Sequence, residues 1–337
     1  MNKYLFYPGC SMEASAKAYM ESIRAILESL DLQLEEIEDW NCCGATEYLG
    51  INLIPAYALI ARNLALAMKQ MNAANGTGGT HTIVTPCSAC YLNLAKADYY
   101  MQERPVLGEK VNEALKAGGL HYKPGALDVR HLLDILVYDV GLETIRSKVV
   151  RPLKGLRVAP YMGCMLPRPD YKHRWSDHEH PTELNDLLRV LGADVVEYPL
   201  TTNCCGGHMT QIGPETAFEL IHRLIVDADA RGAHLMATVC PMCQLNIDAY
   251  QDEMNHYFGT DYHMPILFFT QLMGLAFGKE PDELGIGVEL VSSRNALAKI
   301  GVEVPITQEP AGPRKKAEGL PMPRRLSRHE EGKEAMK

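Results

Sequence analysis

Asn-Cys-Cys-Gly occurs twice in this chain of 337 residues, at 41–44 and again at 203–206. Each adjacent pair belongs to a set of five cysteines in the same order: Cys10, Cys42-Cys43 and Cys87-x-x-Cys90 in the first half, Cys164, Cys204-Cys205 and Cys240-x-x-Cys243 in the second. The intervals are C-x31-CC-x43-C-x2-C and C-x39-CC-x34-C-x2-C, so matching cysteines lie 154, 162 and 153 residues apart. The flanks repeat as well. Tyr7-Pro-Gly-Cys10 answers Tyr161-Met-Gly-Cys164, and Cys90-Tyr-Leu-Asn93 answers Cys243-Gln-Leu-Asn246. A period of this size is that of a domain, so the chain reads as an internal duplication. We expect a first lobe at 1–150, a second at 151–300, and a basic, flexible tail at 301–337, each lobe with its own strands, helices and core.

The order of elements fixes where the cysteines fall. Lys3 to Tyr7 reads as a strand running into a turn, followed by a helix to about residue 30 with Ser11 as N-cap. A strand near Leu32–Ile37, the NCCG loop, a long helix from about Thr46 to Met71 and a strand at His81–Thr85 follow. The second half retraces this path with a strand at Arg157–Tyr161, a helix near Pro181–Leu191 and a strand at Asp194–Tyr198. A helix at Pro214–Ala230 and a strand at Leu235–Val239 complete it. Alternating strands and helices predict an α/β fold: two similar Rossmann-like lobes, each with a parallel sheet. All five cysteines of a lobe then sit beyond the carboxyl ends of strands, where open α/β sheets gather ligand sites.

Three chemistries use such thiols. A Cys₄ zinc site leaves one thiol of each five unused, and adjacent cysteines suit a single ion poorly because successive side chains diverge. A C-x-x-C disulfide-exchange pair leaves the CC pairs without a role. A polynuclear iron–sulfur cluster takes soft thiolates on several irons, and five per lobe exceeds the four of an ordinary cubane. Gly9, Gly44, Gly163, Gly206 and Gly207 would let backbone approach such a group. The start MNKYLFYPGC has no secretory apolar region and no stretch approaches a membrane span, which places the chain in the cytoplasm, where thiols stay reduced. Net charge is −9, but the 25 residues from Pro313 carry +4, leaving −13 on the rest, a balance with no sign of nucleic-acid binding.

With those motifs in hand, the duplicated CC-G and C-x-x-C pattern resembles the cysteine-rich CCG domains of the heterodisulfide reductase B-subunit family over residues 1 to 275. The resemblance implies two noncubane [4Fe-4S] clusters. Cys10, Cys42, Cys43, Cys87 and Cys90 would bind the first, and Cys164, Cys204, Cys205, Cys240 and Cys243 the second. It implies that a disulfide is cleaved between clusters facing one cavity, each supplying one electron. It further implies a ferredoxin-like partner subunit with two cubane clusters and, beyond it, a flavin-containing subunit. No glycine-rich phosphate loop follows a strand, so neither flavin nor nucleotide is expected in this chain. The substrate would be a small disulfide or thiol, or a protein-bound lipoyl group. The competing reading is a non-catalytic electron-transfer subunit. His208, directly after CCGG, is a candidate proton donor to a departing thiolate, against a local hydrogen-bonding role. His173, His178 and His180 read as a solvated loop. Asn41, Asn93, Asn203 and Asn246 read as residues that fix the cysteine loops.

Overall fold

Both sheets carry four parallel strands, one more than the sequence pattern predicts for each lobe. The computed structural model describes residues 3–45, 48–73 and 81–305, so the basic tail beyond 305 lies outside the described residues. The first sheet consists of β1 (Lys3–Phe6), β2 (Gln33–Glu36), β3 (Thr82–Thr85) and β4 (Asp128–His131) in the order β2-β1-β3-β4. The second consists of β5 (Arg157–Tyr161), β6 (Asp194–Val195), β7 (Leu235–Thr238) and β8 (Ile266–Phe268) in the order β6-β5-β7-β8. The fold is thus the duplicated α/β architecture expected.

In this strand order the crossovers diverge between the first and third strands of each sheet, which opens a crevice at their carboxyl ends. Cys10 follows β1 and Cys87 follows β3, so they flank that crevice; Cys164 and Cys240 do the same in lobe two.

Several boundaries differ from the sequence reading. Ser11 is not a cap: a short helix, Cys10–Glu13, begins on Gly9 without a side-chain cap, and α1 (Lys17–Leu30) follows. Its end at Leu30 is set by Asp31 in the left-handed region. The long helix after the NCCG loop comes in two pieces, Tyr48–Ile51 and α2 (Leu53–Ala73). The strand expected to reach Tyr198 pairs only at Asp194–Val195. From Glu183 the second lobe regains helices: α3 (Glu183–Val190), α4 (Pro214–Ala230), α5 (Pro241–Ala249) and α6 (Phe269–Ala276).

The lobes do not have separate cores. One continuous set of buried apolar side chains runs through both. The cause is α6, whose eight residues, six of them apolar or glycine, are all buried, so it is covered on every side. Helix α1 of lobe one covers it, and Ser22 meets Thr270 across the seam at 2.6 Å between buried hydroxyls.

Candidate functional site

The ten cysteines are all free thiols and form one continuous chain of sulfur neighbours. In lobe one, Cys10 Sγ lies 3.8 Å from Cys42 Sγ and Cys43 Sγ lies 3.3 Å from Cys90 Sγ. Cys42 also meets Cys43, and Cys90 meets Cys87. In lobe two, Cys205 Sγ lies 3.4 Å from Cys243 Sγ, with Cys204 joining Cys164 to Cys205 and Cys243 meeting Cys240. The two chains approach each other at Cys87 and Cys240, the first cysteines of the two C-x-x-C turns: the hydroxyl of Tyr19 lies 3.2 Å from the carbonyl of the residue before each. Among the described residues, no three His, Cys, Asp or Glu side chains gather around a point that would hold one metal ion. Sulfurs strung in neighbouring pairs suit a polynuclear group better than a tetrahedral zinc.

Hydrogen bonds decide which thiol ionises first. Those from Cys10 and Cys43, with the backbone N–H of Gly44 and Ala45, favour the thiolate of Cys42 and hold its pKa far below the ordinary thiol range. Cys204 is lowered in the same way by Cys164, Cys205 and the N–H of Gly206. That negative charge and burial push Cys10, Cys43, Cys164 and Cys205 up. An apoprotein therefore carries a ready thiolate in each adjacent pair, the form that metals bind.

The loops are held alike in both lobes. Tyr7 donates its hydroxyl to the carbonyl of Asn41 at 2.6 Å, and Tyr161 to that of Asn203 at 2.7 Å. Asn93 Nδ2 donates to the Cys43 carbonyl at 3.0 Å, and Asn246 Nδ2 to the Cys205 carbonyl at 2.6 Å. Asn41 fixes its own loop, donating to the carbonyls of Cys42 and Leu59. Sequence reasoning missed the two tyrosines, though the repeated Tyr-x-Gly-Cys carried the signal.

The five glycines named from sequence all have positive φ. At Gly9 (φ +80°) an added Cβ would stand 2.9 Å from Cys90 Sγ, and at Gly163 (φ +71°) 3.1 Å from Cys243 Sγ. Backbone thus approaches sulfur where a thiolate cluster would need room. If the cysteine sets hold iron, Gly9→Ala should lose it from lobe one and Gly163→Ala from lobe two, each with a positive-φ backbone penalty of about 1–3 kcal/mol. Iron analysis beside a melting curve checks this: full iron in both variants would mean that the close approach has no role.

A cavity of about 280 Å³ lies against all five lobe-one cysteines. Its opposite wall comes from lobe two: His208, Thr210 and Gln211 from the end of the CCGG loop, and Met242, Leu245 and Tyr250 on or just after α5. The cysteines of lobe two do not line it, so the expectation of both sets facing one cavity is met by the lobe-two loop but not by its sulfurs. His208 lies with the lobe-one cysteines, across the lobe boundary from its own pair. His173, His178 and His180 are exposed on a loop away from it, with His178 near Asp170.

The seam behind the cavity is built by residues that no motif or spacing in the sequence marks out. Tyr19 of α1 is fully buried, its ring stacked on Phe268 at 4.0 Å. Its hydroxyl lies 3.2 Å from the carbonyl of Pro86 and 3.2 Å from that of Val239, the residues preceding Cys87 and Cys240. His131 Nδ1 accepts from Leu133 N, so Nε2 carries the proton and donates to Pro86 O at 3.1 Å.

The CCG cysteine-rich domain family matches this chain twice, at residues 4–95 and 158–248. The chain is 33% identical over 291 residues to the 8-methylmenaquinol:fumarate reductase membrane anchor subunit of Wolinella succinogenes, covering 86% of this chain and 98% of that one. It is 30% identical over 304 residues to the B subunit of the ferredoxin:CoB-CoM heterodisulfide reductase of Methanosarcina mazei, covering 89% and 97%. A protein of Archaeoglobus profundus described as like the heterodisulfide reductase B subunit is 28% identical over 294 residues, 84% of this chain and 93% of that one. The crystal structure of a hypothetical protein from Helicobacter pylori matches with TM-score 0.65 at 15% identity over 86% of this chain, which spans 52% of that one; this likeness concerns the fold. No helix among the described residues is long and apolar enough to cross a membrane.

Proposed function

We propose that this chain, which belongs to the CCG cysteine-rich domain family with one copy in each lobe, is an iron–sulfur redox subunit that cleaves a disulfide in the cavity beside its lobe-one cysteines. The observation that carries this reading is the cavity itself, where five thiols of one lobe face the loop that follows the cysteine pair of the other. Cys10, Cys42, Cys43, Cys87 and Cys90 would hold one noncubane [4Fe-4S] cluster, and Cys164, Cys204, Cys205, Cys240 and Cys243 a second. When bound, the clusters supply electrons singly and iron sites for departing sulfurs. The overall change is R-S-S-R′ plus two electrons and two protons to two thiols, with the electrons drawn from an iron–sulfur partner subunit fed by a flavin subunit.

The chain's own residues prepare this step. Asn93 and Asn246 tether the carbonyls of Cys43 and Cys205, which keeps the adjacent cysteines in one orientation. Met242, Leu245 and Tyr250 line the cavity on the side of lobe two. His208 holds the proton that a departing thiolate takes up.

The cavity also selects its substrate. Apart from the cysteines and His208, the described residues that line it carry no ionisable acid or base other than the phenol of Tyr250. An anionic arm entering there would lose water with His208 as its one cationic partner, and pairing with it would take that proton donor away from the departing thiolate. The holoprotein with a viologen reductant should therefore release thiol faster from bis(2-hydroxyethyl) disulfide than from bis(2-sulfoethyl) disulfide. Preference for the sulfonate would overturn the argument from the walls; cleavage of neither would overturn the disulfide reading. The last outcome would favour a second reading, an electron-relay subunit, which the match to a fumarate reductase subunit along 98% of its length supports.

A further inference from the structure

Only lobe-one sulfurs line the cavity, yet disulfide cleavage needs two electrons. A centre in lobe two can supply the second, and the described structure has one place where the cysteine sets approach each other. Cys87 and Cys240 are buried neighbours there, each following a residue whose carbonyl lies 3.2 Å from the same hydroxyl. The turns that carry them are clamped together by Tyr19, whose single hydroxyl lies equally close, at 3.2 Å, to Pro86 O and Val239 O. The stack on Phe268, 4.0 Å between ring centroids and 4° from parallel, leaves that hydroxyl little freedom.

We infer that the Cys87–Cys240 contact is the route by which electrons cross between the two iron–sulfur centres, and that Tyr19 is the positioning residue that sets its length. The inference rests on the iron–sulfur reading of the cysteines, but not on whether the final acceptor is a disulfide. Each crossing oxidises the centre of one lobe by one electron and reduces that of the other by one. No proton accompanies it, because both cysteines are ligands and carry none. Electron tunnelling weakens steeply with separation, so the closest approach of the two cysteine sets is the short route, and loosening either turn lengthens it.

The test uses the holoprotein and does not depend on turnover. Two reduced centres joined this closely should broaden or split each other's electron paramagnetic resonance lines at full reduction. In Tyr19→Phe the ring and its stack remain while the clamp on the two carbonyls is lost, so the splitting should be lost with iron content unchanged. Ser22→Ala, which removes the hydrogen bond to Thr270 elsewhere on the seam without touching either cysteine turn, should keep it. Unchanged splitting in Tyr19→Phe would overturn the positioning role, and no splitting in the wild type would overturn the bridge. If Tyr19→Phe loads no iron, Phe268→Leu frees the same hydroxyl by removing its stack and is read by the same criteria. Wild-type protein with little iron would instead sink the iron–sulfur reading itself, a result separate from the others.

Discussion

With the two four-iron centres proposed above, Cys204→Ser should halve the iron bound per chain, from roughly eight atoms to roughly four. Hydrogen bonds hold the Cys204 thiol well below the ordinary range, and a serine hydroxyl in its place keeps its proton at neutral pH and is a hard ligand. It stands near the far end of the sulfur chain, between Cys164 and Cys205, so the lobe-one set keeps every contact. Folding should survive, because lobe two is held by a core continuous with that of lobe one rather than by its cluster. Iron and acid-labile sulfide analysis gives the answer. Loss of all iron would show that neither centre assembles without the other. Cys240→Ser makes the contrast: its thiol neighbours Cys87, so it should disturb both centres.

Stability should fall by about 2 kcal/mol between pH 7.5 and 5, on account of His131 alone. Burial pushes this imidazole down to about 4, against a smaller opposing pull from Cys240, while in the unfolded chain it titrates near its ordinary value of 6.5. Between those values the unfolded chain holds one proton more than the folded one. The stability present above pH 6.5 is therefore lost as pH falls, and the loss flattens only below about 4. His131 pairs with Thr85 as Phe268 pairs with Thr238, so the two are equivalent positions. His131→Phe copies the lobe-two residue and should remove this share of the slope. Urea midpoints across the range measure it, and an equal slope in both proteins would sink the assignment to His131.

The cysteine framework was legible because each ligand candidate sits in a repeated local signature. Strands β1, β3, β5 and β7 were legible because short apolar runs end in Pro-Gly, Met-Gly or a C-x-x-C turn. Strand β4 was missed because its sequence, Asp-Val-Arg-His, alternates correctly only if a histidine is buried, which apolar periodicity does not anticipate. Strand β8 was missed because Ile266–Phe268 runs without a polar break into α6, so the apolar stretch carries neither period. The cavity eluded sequence reading for another reason. Its walls come from different lobes, and no spacing along the chain tells that His208 lines one cavity with Cys42 while its neighbour Cys205 does not line it.

That Cys87 meets Cys240, its own counterpart in the duplication, has a bearing on ancestry. Equivalent residues touch each other only near a two-fold axis, so a half-length chain could have made the same contact with a second copy of itself. Tyr19, with its hydroxyl equidistant from Pro86 and Val239, sits on that axis. Two identical subunits would bring two such tyrosines to a place with room for one. After Cys164 the second half forms no helix until Glu183, so it lacks the element that would deliver a rival. Joining the halves in one gene is what allows a symmetric junction to be locked by an unsymmetric key.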